Sequence, residues 1–316
     1  MDLPWSRKEY MDFWKNKKVL ITGSTGFIGS ALFSKLSSMG ANVVGISKSG
    51  KYSDNVDVLN FSDLNSCIKK NKISICYHLA AESIVEAGQI NPFNTFKTNI
   101  EGALNVLESA RINRLAKIII ASTSHVYGDS KPPHFEEDTP KPSRPYETSK
   151  TCADLIAQSY ANTFSLPVLI PRFVNVYGPG DLNFNRLIPK TIKSVLNGKN
   201  PKMWGGVAKR DYLYVSDVIT AYIMLGQVSI PSIGSDRIFN FGSNNVFSVK
   251  EIIEKIILLS GKNLKIKKIK NERDFEINTQ YSSWEKANRI LKWQPKYGID
   301  KGLRETIGWY KSYFSI

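Results

Sequence analysis

The stretch VLITGSTGFIGSALFSKL, Val19 to Leu36, decides how the rest of the chain is read. Val19, Leu20 and Ile21 form an apolar, β-type run. Gly23, Gly26 and Gly29 follow, and then a helical pattern, so the order is buried strand, tight turn, helix. Glycine suits a turn where a diphosphate must approach the main chain, because no Cβ blocks it and positive φ costs little. Free N–H groups and the positive end of the helix dipole favour the anion. The spacing is G-x-x-G-x-x-G and departs from the plain dinucleotide pattern G-x-G-x-x-G. On its own the turn fits a bland loop as well as a phosphate cradle, and the downstream sequence has to separate the two.

Working outward, ANVVGIS (Ala41 to Ser47), VDVLNF (Val56 to Phe61), ISICYHLA (Ile73 to Ala80) and KIIIAST (Lys117 to Thr123) read as further strands. Between them lie a helix N-capped by Ser62 or Asp63 and running through Cys67, and a helix from Asn99 to Ala110. Continuous apolar strands alternating with helices imply a parallel sheet covered on both faces. Ligands of such sheets lie beyond the carboxyl ends of the strands, where Gly23, Ser47, Ala80 and Thr123 fall. A proline-rich loop then leads to a helix from Tyr146 to Phe164 and a strand with its exit loop, Leu166 to Gly178. Beyond that the alternation fades: a helix near Pro189 to Asn197, the strand-like DYLYV, a helix from Ser216 to Gly226, a short IFNFG strand, and helices at Val249–Leu259 and Leu303–Phe314. The expected architecture is α/β: a Rossmann-type doubly wound parallel sheet over residues 1–176, with elements near 211–242 returning to it, and a smaller C-terminal α/β lobe over 177–316. Residues 1–17 read as a polar lead-in whose Trp5, Phe13 and Trp14 pack against the core edge.

The chain has 316 residues, of which 42% are hydrophobic and 22% charged, an ordinary globular composition. No apolar run is long enough to span a bilayer, and MDLPWSRKEYMDFWKNKK is charged throughout with no export-signal core. Cys67, Cys76 and Cys152 are odd in number and lack metal-ligand spacing, so neither a disulfide framework nor a metal site is expected. A cytoplasmic protein fits. The formal net charge of +15 admits nucleic acid, an acidic membrane or anionic small molecules. The lysines are scattered and do not alternate with aromatic residues, so no nucleic-acid platform is indicated. Solvated lysine and attraction of phosphate-bearing ligands remain.

Tyr146 and Lys150, four apart on a helix, share one face. A tyrosine with pKa ~10 is a poor base at neutral pH, and lowering it to 7 requires roughly 4 kcal/mol. A cation about 4 Å away at an effective dielectric of 20 supplies about that. Lysine and an oxidised nicotinamide together therefore suffice for the tyrosine to take a proton from a substrate hydroxyl. Such pairs are common on surfaces; this one stands out because it follows a glycine-turn α/β unit with a Ser/Thr cluster at the fifth strand's end.

TGSTGFIG, YHLAAES, ASTSHVYG, YETSK, PRFVNVYGPG and RDYLYVSDV, in that order, resemble the extended short-chain dehydrogenase/reductase family in its nucleotide-sugar epimerase/dehydratase branch. FWKNKKVLITG and GDLNFNRLIPKTIKSVLNGKNP resemble its CDP-glucose 4,6-dehydratase-like members. The resemblance implies that Tyr146 transfers the proton, that Lys150 holds the nicotinamide ribose and lowers the tyrosine pKa, and that Thr123 hydrogen-bonds the reacting sugar oxygen. It implies further that Gly23, Thr25, Gly26, Phe27, Ile28 and Gly29 cradle the pyrophosphate of NAD or NADP. Leu79, Ala80 and Ala81 would line its path, with Asn60 and Phe61 towards the adenine. Ser83, Asn175, Arg186, Trp204, Arg210 and Arg273 fall where the family holds its nucleotide diphosphate sugar; arginine meets phosphate oxygens bidentately. For each arginine a surface ion pair, and for Trp204 core packing, stays open. A homodimer through the helices near Asn99–Arg111 and Tyr146–Phe164 is also implied.

Two departures refine this. Family dehydratases carry an acid just after the Ser/Thr, whereas this chain has Ser124 and His125. His125 can serve as an acid or simply pack, so 4,6-dehydration ranks below 4-epimerisation and below simple oxidation or reduction at C4; 4-epimerisation is the first expectation, with 4,6-dehydration and 4-keto reduction or 4-dehydrogenation as alternatives. At the end of the second strand, Ser47 and Lys48 stand where NAD-binding members place a carboxylate on the ribose, which favours NADP. A non-catalytic NAD(P)-binding protein is the alternative of another class; the presence of both Tyr146 and Lys150 argues against it.

Overall fold

The computed structural model describes residues 12–48, 54–269 and 277–315. Strand β1 (Lys18–Thr22) enters the glycine turn and helix α1 (Phe27–Ser38), followed by β2 (Asn42–Ser47) and a two-residue β3 (Asp54–Asn55). Helix α2 (Phe61–Lys70) leads to β4 (Ile75–His78). Short helices α3 (Val85–Ile90) and α4 (Pro92–Phe96) continue through a π-helical turn, Lys97–Glu101, into α5 (Gly102–Ile112). Next come β5 (Lys117–Ile120), β6 (Ser122–Thr123), a 3-10 turn Ser124–Tyr127, the long helix α6 (Pro145–Phe164) and β7 (Val168–Phe173).

The chain then passes through β8 (Asn175–Tyr177), α7 (Leu187–Leu196), β9 (Lys202–Trp204), β10 (Lys209–Tyr214) and α8 (Val215–Gln227) before β11 (Ile238–Phe241). It ends with β12 (Val246–Ser248), α9 (Val249–Leu259), β13 (Lys267–Ile269), β14 (Thr279–Gln280), α10 (Glu285–Leu291) and α11 (Ile299–Phe314). The main sheet runs β3-β2-β1-β4-β5-β7-β11, with β6 beside β7, and every pairing in it is parallel. A second sheet runs β12-β10-β14, with β8 beside β10, and β9 pairs with β13.

Side chains alternate across a strand, and the two faces of the main sheet bury separate cores. Val19, Ile21, Tyr77 and Ile119 pack with Leu32 and Leu36 of α1 and Val218 and Tyr222 of α8. Leu20, Cys76, Ile118 and Val168 pack with Leu64 of α2, Val106 and Leu107 of α5 and Ala157 of α6. Trp14 is fully buried in the first core, and Phe13 packs against it, as the lead-in reading expects; Trp5 lies outside the described residues. The second sheet has its own core, where Ile188 and Ile192 of α7 meet Tyr212, Tyr214, Ile252 and Leu303.

Three elements differ from the sequence expectation. VDVLNF is not a strand: Asp57 accepts the Leu59 amide at 3.0 Å, which curls the segment, and the cap of α2 is Asn60, whose side chain accepts the Asp63 amide at 3.2 Å. The run Leu166 to Gly178 is two strands. It leaves the main sheet at Val174, and β8 pairs with β10 in the second sheet. DYLYV belongs to that second sheet, so among the strands near 211–242 only β11 returns to the first.

Candidate active site

A cleft of about 1240 Å³ opens beyond the carboxyl ends of β1, β2, β4 and β6 and reaches the second lobe. At its floor, Gly23 has φ +70°, and a Cβ there would stand 2.8 Å from the Ala80 nitrogen. A Cβ on Gly29 would come within 2.1 Å of the Gly23 carbonyl oxygen, so the turn and α1 close on each other only as glycines. Helix α1 begins at Gly26 with no side-chain cap and no acidic residue in its first turn, which leaves its first amides to an anion. The residues present therefore fit a dinucleotide pyrophosphate. Thr25, Phe27 and Ile28 line the same region.

Opposite the turn, the β4 exit is held by one hydroxyl. Thr22 Oγ1 accepts the Ala80 amide at 3.1 Å and lies 2.9 Å from His78 Nδ1. Burial, with the nearby Lys150 charge, pushes the His78 pKa down to about 3, so this buried imidazole is neutral. Leu79, Ala80, Ala81 and Ser83 line the cleft as expected.

Tyr146 and Lys150 project from the first turns of α6. Tyr146 and Thr123 line the same wall of the cleft, and the Lys150 ammonium donates to the Ala121 carbonyl. Burial raises the Tyr146 pKa above its ordinary value, while the neighbouring Thr123 hydroxyl and the positive Arg186 pull the other way. Lys150 is itself lowered to about 8 by burial, against the attraction of Asp154. Among the protein's own groups, burial thus outweighs the pull of Thr123 and Arg186 on the phenol.

Behind this face lies a buried network. Asp154 accepts Ser122 Oγ at 2.7 Å and both arms of Arg172, at 2.9 and 3.1 Å. Arg172 also donates to the Tyr127 hydroxyl at 2.9 Å. Strand β6, which carries Thr123, is thereby fixed to the helix that carries Tyr146.

The second lobe supplies the far wall with Asn175 at the start of β8, Trp204 on β9 and Arg210 on β10. Lys190 lies 4.1 Å above the Trp204 ring. Arg186, at the N-terminus of α7, reaches Asp181 at 3.3 Å and Ser83 Oγ at 3.4 Å, bridging the two lobes. Ser47 and Lys48 border the cleft at the end of β2, and Lys48 lies 3.9 Å from Asp57.

Not every expected residue converges. Asn60 and Phe61 do not line the cleft, because Asn60 is occupied as a helix cap; Asp57, Val58 and Leu59 border it instead. Ser124 is buried away from it, its carbonyl accepting Gln280 Nε2 at 3.2 Å. Arg273 lies outside the described residues. His125 does line the cleft, beside Arg144, and the fully buried Glu147 stands behind both. Among the described residues no cluster of His, Cys, Asp and Glu is arranged for a metal, and no helix is long and apolar enough to cross a membrane.

Residues 19–242 match the model of the NAD dependent epimerase/dehydratase family. The chain belongs to that family. It is 30% identical to a UDP-glucuronate 4-epimerase of Thermodesulfobacterium geofontis, over 92% of this chain and 95% of the relative. It is also 26% identical to a CDP-glucose 4,6-dehydratase of Salmonella typhimurium, over 96% of this chain and 92% of the relative. A crystal structure of UDP-glucuronic acid 4-epimerase from Bacillus cereus, in complex with UDP-glucuronic acid and NAD, superposes with TM-score 0.84 at 25% identity and covers 94% of this chain and 99% of that one.

Proposed function

We propose that this family member is an NAD-dependent enzyme that inverts C4 of a nucleotide diphosphate hexose. The observation carrying this reading is that Thr123, Tyr146 and Lys150 line one cleft with the glycine turn. The nicotinamide, when bound, supplies acceptance and return of hydride. Tyr146 takes the proton from the sugar O4 and gives it back, and Thr123 holds that oxygen. Lys150 keeps its ammonium at the floor of the site through the Ala121 carbonyl. Gly23, Gly26 and Gly29, with the amides of α1, hold the pyrophosphate. Asn175, Arg186, Trp204 and Arg210 hold the nucleotide diphosphate end of the sugar substrate, with Arg210 and Arg186 as the charge partners of phosphate.

Ser47 and Lys48 favour NADP, but the Asp57 carboxylate offsets the Lys48 charge, and the B. cereus relative was solved with NAD. NAD is therefore the proposed cofactor. A homodimer through α5 and α6 is also proposed, since Leu104 and Leu155 on those helices are 40% and 51% exposed. A cytoplasmic location accords with free Cys67, Cys76 and Cys152.

Incubation with NAD and with UDP-, dTDP-, CDP- and GDP-hexoses, followed by mass and NMR analysis, tests the proposal. The expected product has the mass of the substrate and the opposite C4 configuration. A product lighter by one water would replace epimerisation with dehydration.

A further inference from the structure

Two phenols reach the same end of the main sheet from opposite faces. Tyr146 comes from α6, which packs with α2 and α5 on one core. Tyr222 comes from α8, which packs with α1 on the other. Although only 1% exposed, Tyr222 lines the cleft together with Phe173, the last residue of β7, and Val174. Its ring is wedged between two others, with centres 5.0 Å from Phe173 and 5.9 Å, edge to face, from Tyr77. The Tyr222 carbonyl accepts the Tyr77 hydroxyl at 3.0 Å, so ring and backbone are both held.

A buried hydroxyl ordinarily has a partner, because leaving it unpaired costs its full desolvation. Among the described residues the Tyr222 hydroxyl has none. Burial, with Tyr146 nearby, pushes the Tyr222 pKa up, so the phenol keeps its proton and stands ready as a donor. The side chains of Phe173 and Val174 beside it are apolar. Such a place suits a flat ring that carries one uncharged acceptor, and it suits neither a phosphate nor the many hydroxyls of a sugar.

We propose that Tyr222 positions the nicotinamide ring of the cofactor, its hydroxyl donating a hydrogen bond to the ring's carboxamide. The proposal rests on the reading of the cleft as a nicotinamide dinucleotide seat. Tyr146 serves the oxygen on the carbon that gives up hydride, so the ring must lie against that carbon, on the α6 side. Tyr222 meets it from the α8 side. The carboxamide is the ring's one hydrogen-bonding substituent, and anchoring it there stops the ring from turning over about its bond to the ribose. One face is thereby kept towards the sugar through both departure and return of hydride, which C4 inversion requires of a ring that stays in place while the sugar turns.

The test compares two probes on the full chain. Tyr222→Phe, which keeps the ring and its packing, is titrated with NAD and with ADP-ribose, which retains the adenosine, pyrophosphate and second ribose and lacks the nicotinamide. NAD affinity should fall about 3- to 10-fold, the usual worth of one hydrogen bond. ADP-ribose affinity should stay at the wild-type value, and the melting temperature should not fall, since the hydroxyl has no partner among the described residues to lose. Equal losses for the two probes would mark a loosened fold, and unchanged NAD affinity would leave the hydroxyl without a role; either result overturns the proposal. No nucleotide sugar takes part, so failure of the C4 reading appears separately, as no product from any nucleotide hexose while the NAD-to-ADP-ribose ratio still shifts.

Discussion

Asp154 grips Arg172 with both carboxylate oxygens, at 2.9 and 3.1 Å, and one of those oxygens also takes the Ser122 hydroxyl, at 2.7 Å. The pair is almost wholly buried, at 2% and 1% side-chain exposure. Asp154→Asn leaves the guanidinium uncompensated, and loss of one partner of such a pair costs about 3–5 kcal/mol. The variant should melt well below wild type. It should also lose turnover at temperatures where it remains folded, because β6 and Thr123 are released from α6. Denaturation curves and kcat measured together check this; unchanged kcat in the folded variant would confine Asp154 to stability.

Tyr146→Phe removes the phenol hydroxyl from the cleft wall it shares with Thr123 and leaves the glycine turn untouched. Turnover should fall about 10²–10⁴-fold, the usual contribution of a general acid–base group. Dinucleotide affinity, read by fluorescence titration, should change little. Retained activity would remove Tyr146 from the reaction.

The choice of dinucleotide turns on the balance between Lys48 and Asp57, 3.9 Å apart. Asp57→Asn frees the cation and should tighten NADP relative to NAD. Ser47→Asp combined with Lys48→Ala should do the reverse, since a carboxylate repels a 2′-phosphate. Dissociation constants for both dinucleotides in the two variants decide it, and an unmoved ratio in both would place the selecting contact elsewhere.

Burial carries a pH signature at Lys117, which donates to the carbonyls of Gly226 and Val228 at 2.7 and 2.5 Å, at the end of α8. Desolvation, with Lys17 nearby, lowers its pKa to about 8 from 10.5. Between those values the unfolded chain binds more protons than the folded one, so this group makes stability rise as pH increases from about 8 towards 10.5. Lys150, also lowered to about 8, acts in the same direction. Buried tyrosines and cysteines such as Tyr222 and Cys76, whose pKa values burial raises, act in the opposite sense over the same range, so the Lys117 contribution is read as a difference: the unfolding free energy of wild type relative to Lys117→Met should rise across that window. Parallel profiles for the two proteins would refute the assignment.

The parts of the site legible in the sequence are those built from local spacing. Three glycines after an apolar strand, and Tyr146 four residues before Lys150, carry their geometry with them. Thr123 was legible because polar residues end an apolar strand there. Asp57 was missed because Val56 and Val58 flank it as strand residues would, whereas its own carboxylate curls the backbone by accepting the Leu59 amide. Glu147 is a single letter inside YETSK. Its burial depends on Ser143, Arg144 and His125 closing over it, and pattern alone does not reveal that meeting. The break at Val174 was hidden for a related reason: an unbroken apolar run does not say at which residue it changes sheets.

Strand β11 joins β7 only after the chain has travelled through β8, α7, β9, β10 and α8. The first sheet is therefore incomplete until residue 241 has been made, and the outer edge of β7 stays open for all that time. On the ribosome, a nascent chain that has finished residues 1 to 176 still presents an unpaired, largely apolar strand edge, the kind of edge that recruits a neighbouring chain. Truncations placed at the apparent lobe boundary should consequently yield aggregates rather than a separable nucleotide-binding fragment, and chaperone dependence during synthesis should end once β11 emerges.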